Sequence, residues 1–298
     1  MQFRKLNPGK KKPPIEFKET DLILNNDGSV YHLNLLPEHI SDTIITVGDP
    51  GRVYRISHYF DNIEFEINRR EFVTHTGTYK GKRITAMSTG MGTDNVEIVL
   101  NELDALANIN LKTRRRKSKH TRLRIIRVGT SGAIREDIRL NSHLVSNYAI
   151  GFDTLMYFYK LTQNETENRI SDSLQATLSL PFRPYCVQGS EELKDILGFD
   201  MVEGNTVTLP GFYAPQMRNL RAEIAFPSLI EDLNYFHECD AWITNFEMET
   251  AGYYALGRIL GHDVISLNAI IANRISNKFS KSPNKTIDAL IRKVLDRV

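Results

Sequence analysis

The chain alternates short apolar runs with segments whose apolar residues recur at helical spacing. Between Thr93 and Ile109 these residues fall on one face, which predicts an amphipathic helix. From Thr250 to Leu260 the helical period returns and stops at Gly261, a residue typical of helix ends. A last helix is predicted from about residue 284. Short β-branched runs bounded by Gly, Asp or Asn predict strands at 44–47, 72–76, 84–87, 125–128, 143–146, 242–246 and 264–272.

Strands interleaved with helices predict an α/β domain with a largely internal sheet. Because no internal repeat and no interior linker rich in Pro, Gly or Ser divides the chain, we expect one domain over residues 21–298. Residues 1–20 combine consecutive lysines with prolines and offer little to bury. They predict a flexible basic leader, with order beginning near Leu22.

Composition excludes several classes of protein. The chain has 298 residues, of which 41% are hydrophobic and 25% are charged, so a sizeable core is expected and global disorder is excluded. The net charge of +2 is too small for a whole-surface field that attracts nucleic acid or a membrane. No signal segment or long apolar run occurs, and Cys186 and Cys239 form no disulfide or metal pattern. We therefore expect a cytoplasmic protein.

Residues 112–124 break this balanced composition with a cluster of Lys and Arg. We interpret the segment as a solvated loop between a helix and a strand, because like charges repel and remain in water. Contact with nucleic acid is the less favoured alternative.

Glycine turns at predicted strand ends carry the candidate chemistry, since the Walker, zincin and serine-hydrolase motifs are all absent. The turns lie at 48–52, 88–92 and 127–133. Glycine lets backbone N–H groups approach an anion, and the forks of Arg52 and Arg127 match phosphate oxygens. Because Arg127 follows a buried run, its charge needs an anion, either a carboxylate or a ligand phosphate. Three turns of one type predict one shared anion site.

Two carboxylates, Glu247 and Glu249, lie where a predicted strand changes to a helix. Such switch points bind ligands in open α/β sheets. One interpretation is that the carboxylates complement the helix N-terminus. The other is that one of them accepts hydrogen bonds from a sugar diol.

The ordered set of motifs resembles the nucleoside phosphorylase-I family from about Tyr31 to Arg274. The motifs are Gly48-Asp-Pro-Gly-Arg52, Arg69-Arg-Glu-Phe72, Ser88-Thr-Gly-Met-Gly92, Arg127-Val-Gly-Thr-Ser-Gly-Ala133 and Asn245-Phe-Glu-Met-Glu249. The segment Phe212-Tyr-Ala-Pro-Gln216-Met-Arg218 is similar to the pattern of the uridine phosphorylase branch. The resemblance implies a mixed, mostly parallel twisted sheet that is partly barrel-like and flanked by helices.

The resemblance also implies roles for individual residues. Phosphate would be bound by Gly48, Arg52, Arg127, Gly129 and Thr130, with Arg70 from a partner subunit. Ribose would be bound by Glu247, Met248 and Glu249, with His32 from a partner subunit. The base would contact Phe212, Gln216, Arg218 and Arg274, and the catalytic residues would be Gln216, Arg218 and Glu249. An exposed loop pair is the alternative interpretation of Gln216 and Arg218.

Shared sites imply a homo-oligomer, at least a dimer. The resemblance implies inorganic phosphate as co-substrate, no other cofactor and no metal. A monovalent-cation site using Glu71 is doubtful, because Asn95 stands where some bacterial relatives have Ser. Asn273 and Arg274 follow the uridine-type pattern and disfavour purine chemistry. Nothing is carried over for 152–190, which match the family poorly.

The function implied is that of a pentosyltransferase that cleaves uridine by phosphorolysis to uracil and ribose 1-phosphate, with 2′-deoxyuridine and thymidine left open. A purine nucleoside phosphorylase and a hydrolytic nucleosidase of the same fold are the enzymatic alternatives. A nucleoside- or RNA-binding protein whose catalysis has lapsed is the alternative from another class.

Overall fold

The structure is a computed structural model that describes residues 16–298. Residues 1–15 of the predicted leader lie outside this range. Within it, Glu16 forms an isolated bridge with Arg115, and the Phe17 N–H donates to the Arg114 carbonyl (2.8 Å). Contacts with the domain are therefore present ahead of Leu22, because the basic segment supplies a backbone partner.

Helices and strands alternate along the described part of the chain. The helices are α1 Pro50–Ser57, α2 Thr93–Asn108, α3 Glu165–Thr177, α4 Glu191–Leu197, α5 Leu229–Tyr235, α6 Thr250–Leu260 and α7 Pro283–Arg297. The strands are β1 Thr43–Val47, β2 Asn62–Arg69, β3 Phe72–Tyr79, β4 Lys82–Ser88, β5 Ile109–Asn110, β6 Arg115–Arg116, β7 Arg124–Ala133, β8 His143–Gly151, β9 Tyr185–Gln188, β10 Val202–Thr208, β11 His237–Glu238, β12 Ala241–Glu247, β13 Asp263–Asn273 and β14 Lys278–Phe279.

The main sheet closes on itself at one end. Strands pair in the order β12-β10-β8-β13-β7, and β12 also pairs with β7 in antiparallel register, which completes a five-stranded barrel. From β7 the sheet continues outward through β1, β4, β3 and β2. This mixed, partly barrel-like α/β architecture confirms the expected fold class.

The helices predicted from apolar periodicity form where expected. Helix α2 buries Val96, Leu100 and Leu103 on one face. Helix α6 ends at Gly261, which adopts φ 79° and so uses the left-handed conformation that glycine tolerates. Both helices contribute to the main apolar core, which spans β1, β4, β7 and β13.

Several elements were not predicted, and β10 shows why. Its sequence places Thr206 and Thr208 in the barrel interior, where both are fully buried. An apolar alternation therefore never develops, although the strand is central. Strand β2 was not predicted for the opposite reason: most of its residues are exposed.

The basic segment 112–124 largely uses its charges within the fold. The Lys117 ammonium donates to the Ala107 carbonyl at the end of α2 (2.8 Å), where a cation complements the helix dipole. Arg115 pairs with Glu16 at 3.0 Å, and Arg122 lies 3.4 Å from Asp263. Most residues of the segment are exposed, but it is not loop throughout, because Arg115–Arg116 form the short strand β6, which pairs with β5.

Among residues 16–298 no helix combines the length and the apolar character needed to cross a membrane.

Helix α7 offers a test of how the core is held together. Leu290 is fully buried against the sheet, so Leu290→Ala should lower the free energy of unfolding by about 2–5 kcal/mol. Lys285→Ala on the exposed face of the same helix is the control, with an expected change within about 0.5 kcal/mol. Urea unfolding measures both, and equal effects would contradict the placement of α7.

Candidate functional site

One cavity of about 570 Å³ opens at the carboxyl ends of β1, β7 and β12. The three glycine turns meet there, as the sequence predicted, and contribute Gly48, Gly90 and Thr130 to its wall. The predicted site residues that line it are Gly48, Arg52, Arg127, Thr130, Phe212, Gln216, Arg218, Glu247, Met248 and Glu249. Ligand sites at this edge are expected for α/β sheets.

Arg127 is the most tightly held charge in the cavity. Its Nη2 atom donates to Glu249 Oε2 at 2.6 Å and lies 2.8 Å from Glu247 Oε2. Its Nη1 atom donates to Ser266 Oγ and Asn268 Oδ1 at 3.1 and 3.0 Å. Burial acts to lower the pKa of Arg127, but the charges of Glu247 and Glu249 outweigh it and raise the pKa above its ordinary value. The anion that the sequence required is therefore a pair of carboxylates.

Arg52 contrasts with Arg127. Its guanidinium is largely buried, yet its only ionic partner in the described chain is Asp49, at 3.9 Å. Burial lowers the pKa of Arg52 despite the Asp49 charge, and the nearby Arg127 charge lowers it further. Repulsion between the two cations would be relieved by an anion bound between Gly48 and Arg52.

The two carboxylates have different partners. Glu247 accepts from the backbone N–H groups of Glu249 and Thr250 and from the Thr208 hydroxyl, so it caps α6. Glu249 accepts from Arg127 and, through Oε1, from the Gly92 N–H at 2.8 Å. Burial raises the pKa of Glu249, although the Arg127 charge opposes the shift.

Gly129 does not line the cavity but lies beneath the Arg127 side chain. A Cβ atom built on Gly129 would lie 2.0 Å from Arg127 Nη1. The glycine of this motif is therefore needed so that the guanidinium can lie flat over the strand.

The other end of the cavity carries the segment 212–218. Arg218 donates to Gln216 Oε1 at 2.6 Å and stacks on Phe212, with its Cζ atom 3.6 Å from the ring centroid. Burial and the neighbouring Arg274 charge lower the pKa of Arg218 to about 10. Arg274 lies behind the segment and donates to the Gln216 and Met217 carbonyls at 2.7 and 3.1 Å. It holds the segment in place without lining the cavity.

His32 and Arg70 lie outside the cavity, on one stretch of surface. Glu102 of α2 binds the His32 ring Nδ1 at 2.7 Å and accepts from its backbone N–H. The Tyr31 ring contacts His32, and the exposed Arg70 lies 5.7 Å above that ring. Neither side chain lines the cavity.

The sequence assigned no role to several wall residues. Ser131 stands inside a recognised motif, and its hydroxyl could have signalled a polar role. Phe246 and Ile271 are apolar residues of buried strands and carry no such signal. Asn273 lies away from the wall, where it binds the Arg135 and Ile138 carbonyls.

Potential cation ligands occur at two places in the described structure. Glu71 lines the cavity, and a Cβ on Gly90 would approach Glu71 Cγ at 3.1 Å and Asn95 Nδ2 closer still. Away from the cavity, Asp104, His120 and His262 bring potential ligand atoms within 4.8 Å. His262 Nδ1, however, accepts from the Leu123 N–H at 3.2 Å. A neutral His262 then carries its proton on Nε2, the atom that would have to bind the metal.

Comparisons with known proteins agree with this geometry. Residues 42–295 match the family model described as the phosphorylase superfamily. The chain is 31% identical over 264 residues to a uridine phosphorylase of Thermococcus kodakarensis. The aligned region covers 87% of this chain and 83% of that protein. It is 26% identical to a DeoD-type purine nucleoside phosphorylase of Exiguobacterium sp., over 89% of this chain and 96% of that one. A Trypanosoma brucei nucleoside phosphorylase, whose structure is described as showing uridine phosphorylase activity, superposes with a TM-score of 0.84 at 28% identity, over 93% of this chain and 100% of that chain.

The contact between Gly129 and Arg127 can be tested through stability. Gly129→Ala should lower the free energy of unfolding by about 1–3 kcal/mol, because the new methyl group displaces the guanidinium. In an Arg127→Ala background the same change should cost much less, since the opposing group is gone. Urea unfolding of the four proteins measures the coupling. Equal costs in both backgrounds would show that Gly129 matters for another reason.

Proposed function

We propose a function for this chain on the premise that it belongs to the phosphorylase superfamily. The reaction is phosphorolysis of the N-glycosidic bond of uridine, which yields uracil and ribose 1-phosphate. The observation that carries the proposal is one cavity with arginines at one end, a carboxylate in the middle and a Gln216–Arg218 pair at the other end. The T. kodakarensis relative, named a uridine phosphorylase, supports the choice of nucleoside.

Phosphate is assigned to the end formed by Gly48, Arg52, Arg127 and Thr130. Arg52 supports this assignment most directly, because its buried guanidinium makes no side-chain hydrogen bond among the residues described. A phosphate dianion offers the oxygens and the charge that this cation lacks. The binding of phosphate there places a nucleophile beside Glu249.

Ribose is assigned to Glu249 and Met248. The Glu249 carboxylate already accepts one bond at each oxygen, from Gly92 and Arg127. An ionised carboxylate has about four acceptor positions, so it can also accept from the two hydroxyls of a ribose diol. The bond to Arg127 ties the sugar site to the phosphate site. We assign Glu247 a supporting role at the start of α6.

The base is assigned to Phe212, Gln216 and Arg218. Gln216 is nearly buried, and its amide Nε2 makes no hydrogen bond within residues 16–298. A glutamine side chain pairs with the adjacent N3–H and carbonyl of uracil. The charge of Arg218 is repelled by the neighbouring Arg274. We assign Arg218 as a donor to a base carbonyl.

The proposed mechanism relies on positioning and charge. Phosphate attacks C1′ as the bond to N1 of the base breaks, and the bonding electrons pass to the departing uracil. Gln216 and Arg218 stabilise the negative charge that develops on the base carbonyl. Arg52 and Arg127 hold the nucleophile under the ring, which reduces the entropic cost of bringing the reactants together.

We also propose that a partner subunit completes the site with His32 and Arg70. Both side chains lie together on the surface, anchored by Glu102 and the Tyr31 ring, and outside their own cavity. Such a pair is suited to reach the ribose and phosphate of a neighbouring copy. The functional oligomer is then at least a dimer.

The test of the proposed function is release of uracil from uridine with and without inorganic phosphate, with inosine as a parallel substrate. We expect phosphate-dependent release of uracil. Cleavage without phosphate would identify a nucleosidase, and cleavage of inosine alone would favour the purine activity named for the Exiguobacterium relative. Cleavage of neither nucleoside would favour a binding protein.

Arg218→Ala should lower kcat for uridine by about 10²–10³, the usual effect of losing one donor to developing charge. Arg221→Ala is the matched control, because this exposed arginine lies in the same loop outside the cavity wall. Its kcat should remain unchanged. A loss below about threefold for Arg218→Ala would remove Arg218 from the mechanism.

Subunit sharing predicts complementation between two inactive variants. Arg70→Ala and Arg218→Ala proteins, unfolded, mixed and refolded together, should regain up to about a quarter of wild-type activity, because each mixed dimer holds one intact site. Each variant refolded alone is the control. No recovery in mixed oligomers that form normally would place Arg70 in its own subunit's site or outside the reaction.

A further inference from the structure

The interior of the five-stranded barrel is polar where an apolar core would be expected. Each strand contributes a buried side chain to one chain of hydrogen bonds, which we call the barrel relay. Its members are Arg127 and Ser131 on β7, Asn268 on β13, Ser146 on β8, Thr206 on β10 and Asn245 on β12. All six are buried, and Asn268, Ser146, Thr206 and Asn245 have no exposed surface.

Arg127 fixes the direction at the start of the relay, because a guanidinium can only donate. Asn268 Oδ1 accepts from Arg127 at 3.0 Å, so the Asn268 amide NH₂ must point the other way, to Ser146 Oγ at 3.1 Å. Ser146 then donates to Thr206 (2.6 Å), and Thr206 donates to Asn245 Oδ1 (3.0 Å). With this direction Ser146 and Thr206 each accept one hydrogen bond and donate one, so both hydroxyls are fully used.

The last step of the relay reaches the cavity. Asn245 Oδ1 accepts, so its Nδ2 donates to Ser131 Oγ at 2.7 Å. The Ser131 hydroxyl proton is left over, and Ser131 makes no other side-chain hydrogen bond within the described chain. Ser131 lines the cavity wall. Its hydroxyl is therefore set as a donor.

The surroundings of Ser131 place this donor near the base. The next residue, Gly132, would bring a Cβ to 3.4 Å from Phe246 and 3.7 Å from Arg274. Arg274 in turn holds the carbonyl of Gln216. Successive residues of a strand face opposite sides, so these contacts locate the backbone at Ser131 near the Gln216 end of the cavity, whereas the bond to Asn245 and the cavity wall locate its side chain.

We propose that Ser131 donates a hydrogen bond to an acceptor atom of the nucleoside base, and that Asn245 is the positioning residue that fixes the direction of this bond. The inference rests on the proposed function, and it adds a contact and a supporting residue to it. A buried polar network of this kind is costly unless every member is satisfied. Because the other hydroxyl and amide members are satisfied within the relay, the Ser131 hydroxyl is the donor that remains for a ligand.

The test is a double-mutant cycle on uridine binding, measured by calorimetry. Ser131→Ala should raise Kd about tenfold, the effect of losing one hydrogen bond. Asn245→Asp replaces the amide donor by an acceptor, so the Ser131 proton turns inward, and Kd should rise by a similar factor. In the Ser131→Ala background Asn245→Asp should change Kd by less than about twofold. Independent, multiplied effects would overturn the proposal.

A second variant guards against failure of Asn245→Asp to fold. Thr206→Val keeps the volume and removes one hydrogen bond to Asn245, so uridine Kd should rise about threefold, and only when Ser131 is present. An equal rise in the Ser131→Ala background would reveal a general disturbance and contradict the relay. Thr85→Val removes a buried hydroxyl that is not part of the cavity wall and should leave uridine Kd unchanged.

Kinetics separate this inference from the proposed function. Uracil release by the wild-type protein tests the reaction, whereas the coupling of Ser131 with Asn245 tests the relay. In an active enzyme, Ser131→Ala and Asn245→Asp should raise KM for uridine and leave KM for phosphate within about twofold. If uridine binds without being cleaved, the reaction fails and the binding cycle still decides the relay. A protein that binds neither uridine nor inosine would overturn both.

Discussion

The buried charge of Arg127 is the constraint on which the site depends. A guanidinium in the barrel interior requires neutralisation, and Glu247 and Glu249 supply it from β12 and the start of α6. Removing one partner of such a cluster costs about 3–5 kcal/mol, because a charge is left buried and unpaired. The same pairing aligns Glu249, orders the first turn of α6 and determines which side of Arg127 faces the cavity.

The two arginines that we assign to phosphate, Arg52 and Arg127, differ in how far protein partners balance their charge. Both Nη atoms of Arg127 bind protein partners, which leaves its Nε–H without a partner among the described residues, whereas Arg52 has a single distant partner. The first is rigid and shapes the site, and the second retains the capacity to attract an anion. Repulsion between them makes an empty anion site unfavourable. In the proposed function, stability and anion binding are thus divided between two residues of the same type.

Family and enzyme class, a pentosyltransferase related to uridine phosphorylases, were predicted from the motifs and are confirmed. The glycine turns did meet at one cavity, and the helices at 93–108 and 250–260 follow their apolar period. Strand β10 was missed, because its interior side chains are polar. Arg274 and Gly129 were expected to touch ligand, but one braces a loop and the other makes room for Arg127.

The sequence by itself determined what depends on neighbouring residues: amphipathic helices, the stop at Gly261, and turns whose glycines let N–H groups face an anion. The sequence also required an anion beside Arg127, because burying an unpaired charge is costly. Only the tertiary structure decided that this anion is a pair of carboxylates about 120 residues away, Glu247 at the end of β12 and Glu249 at the start of α6. Closure of β12 onto β7 sets that register and turns the polar side chains inward, and no local pattern encodes a pairing between such distant segments.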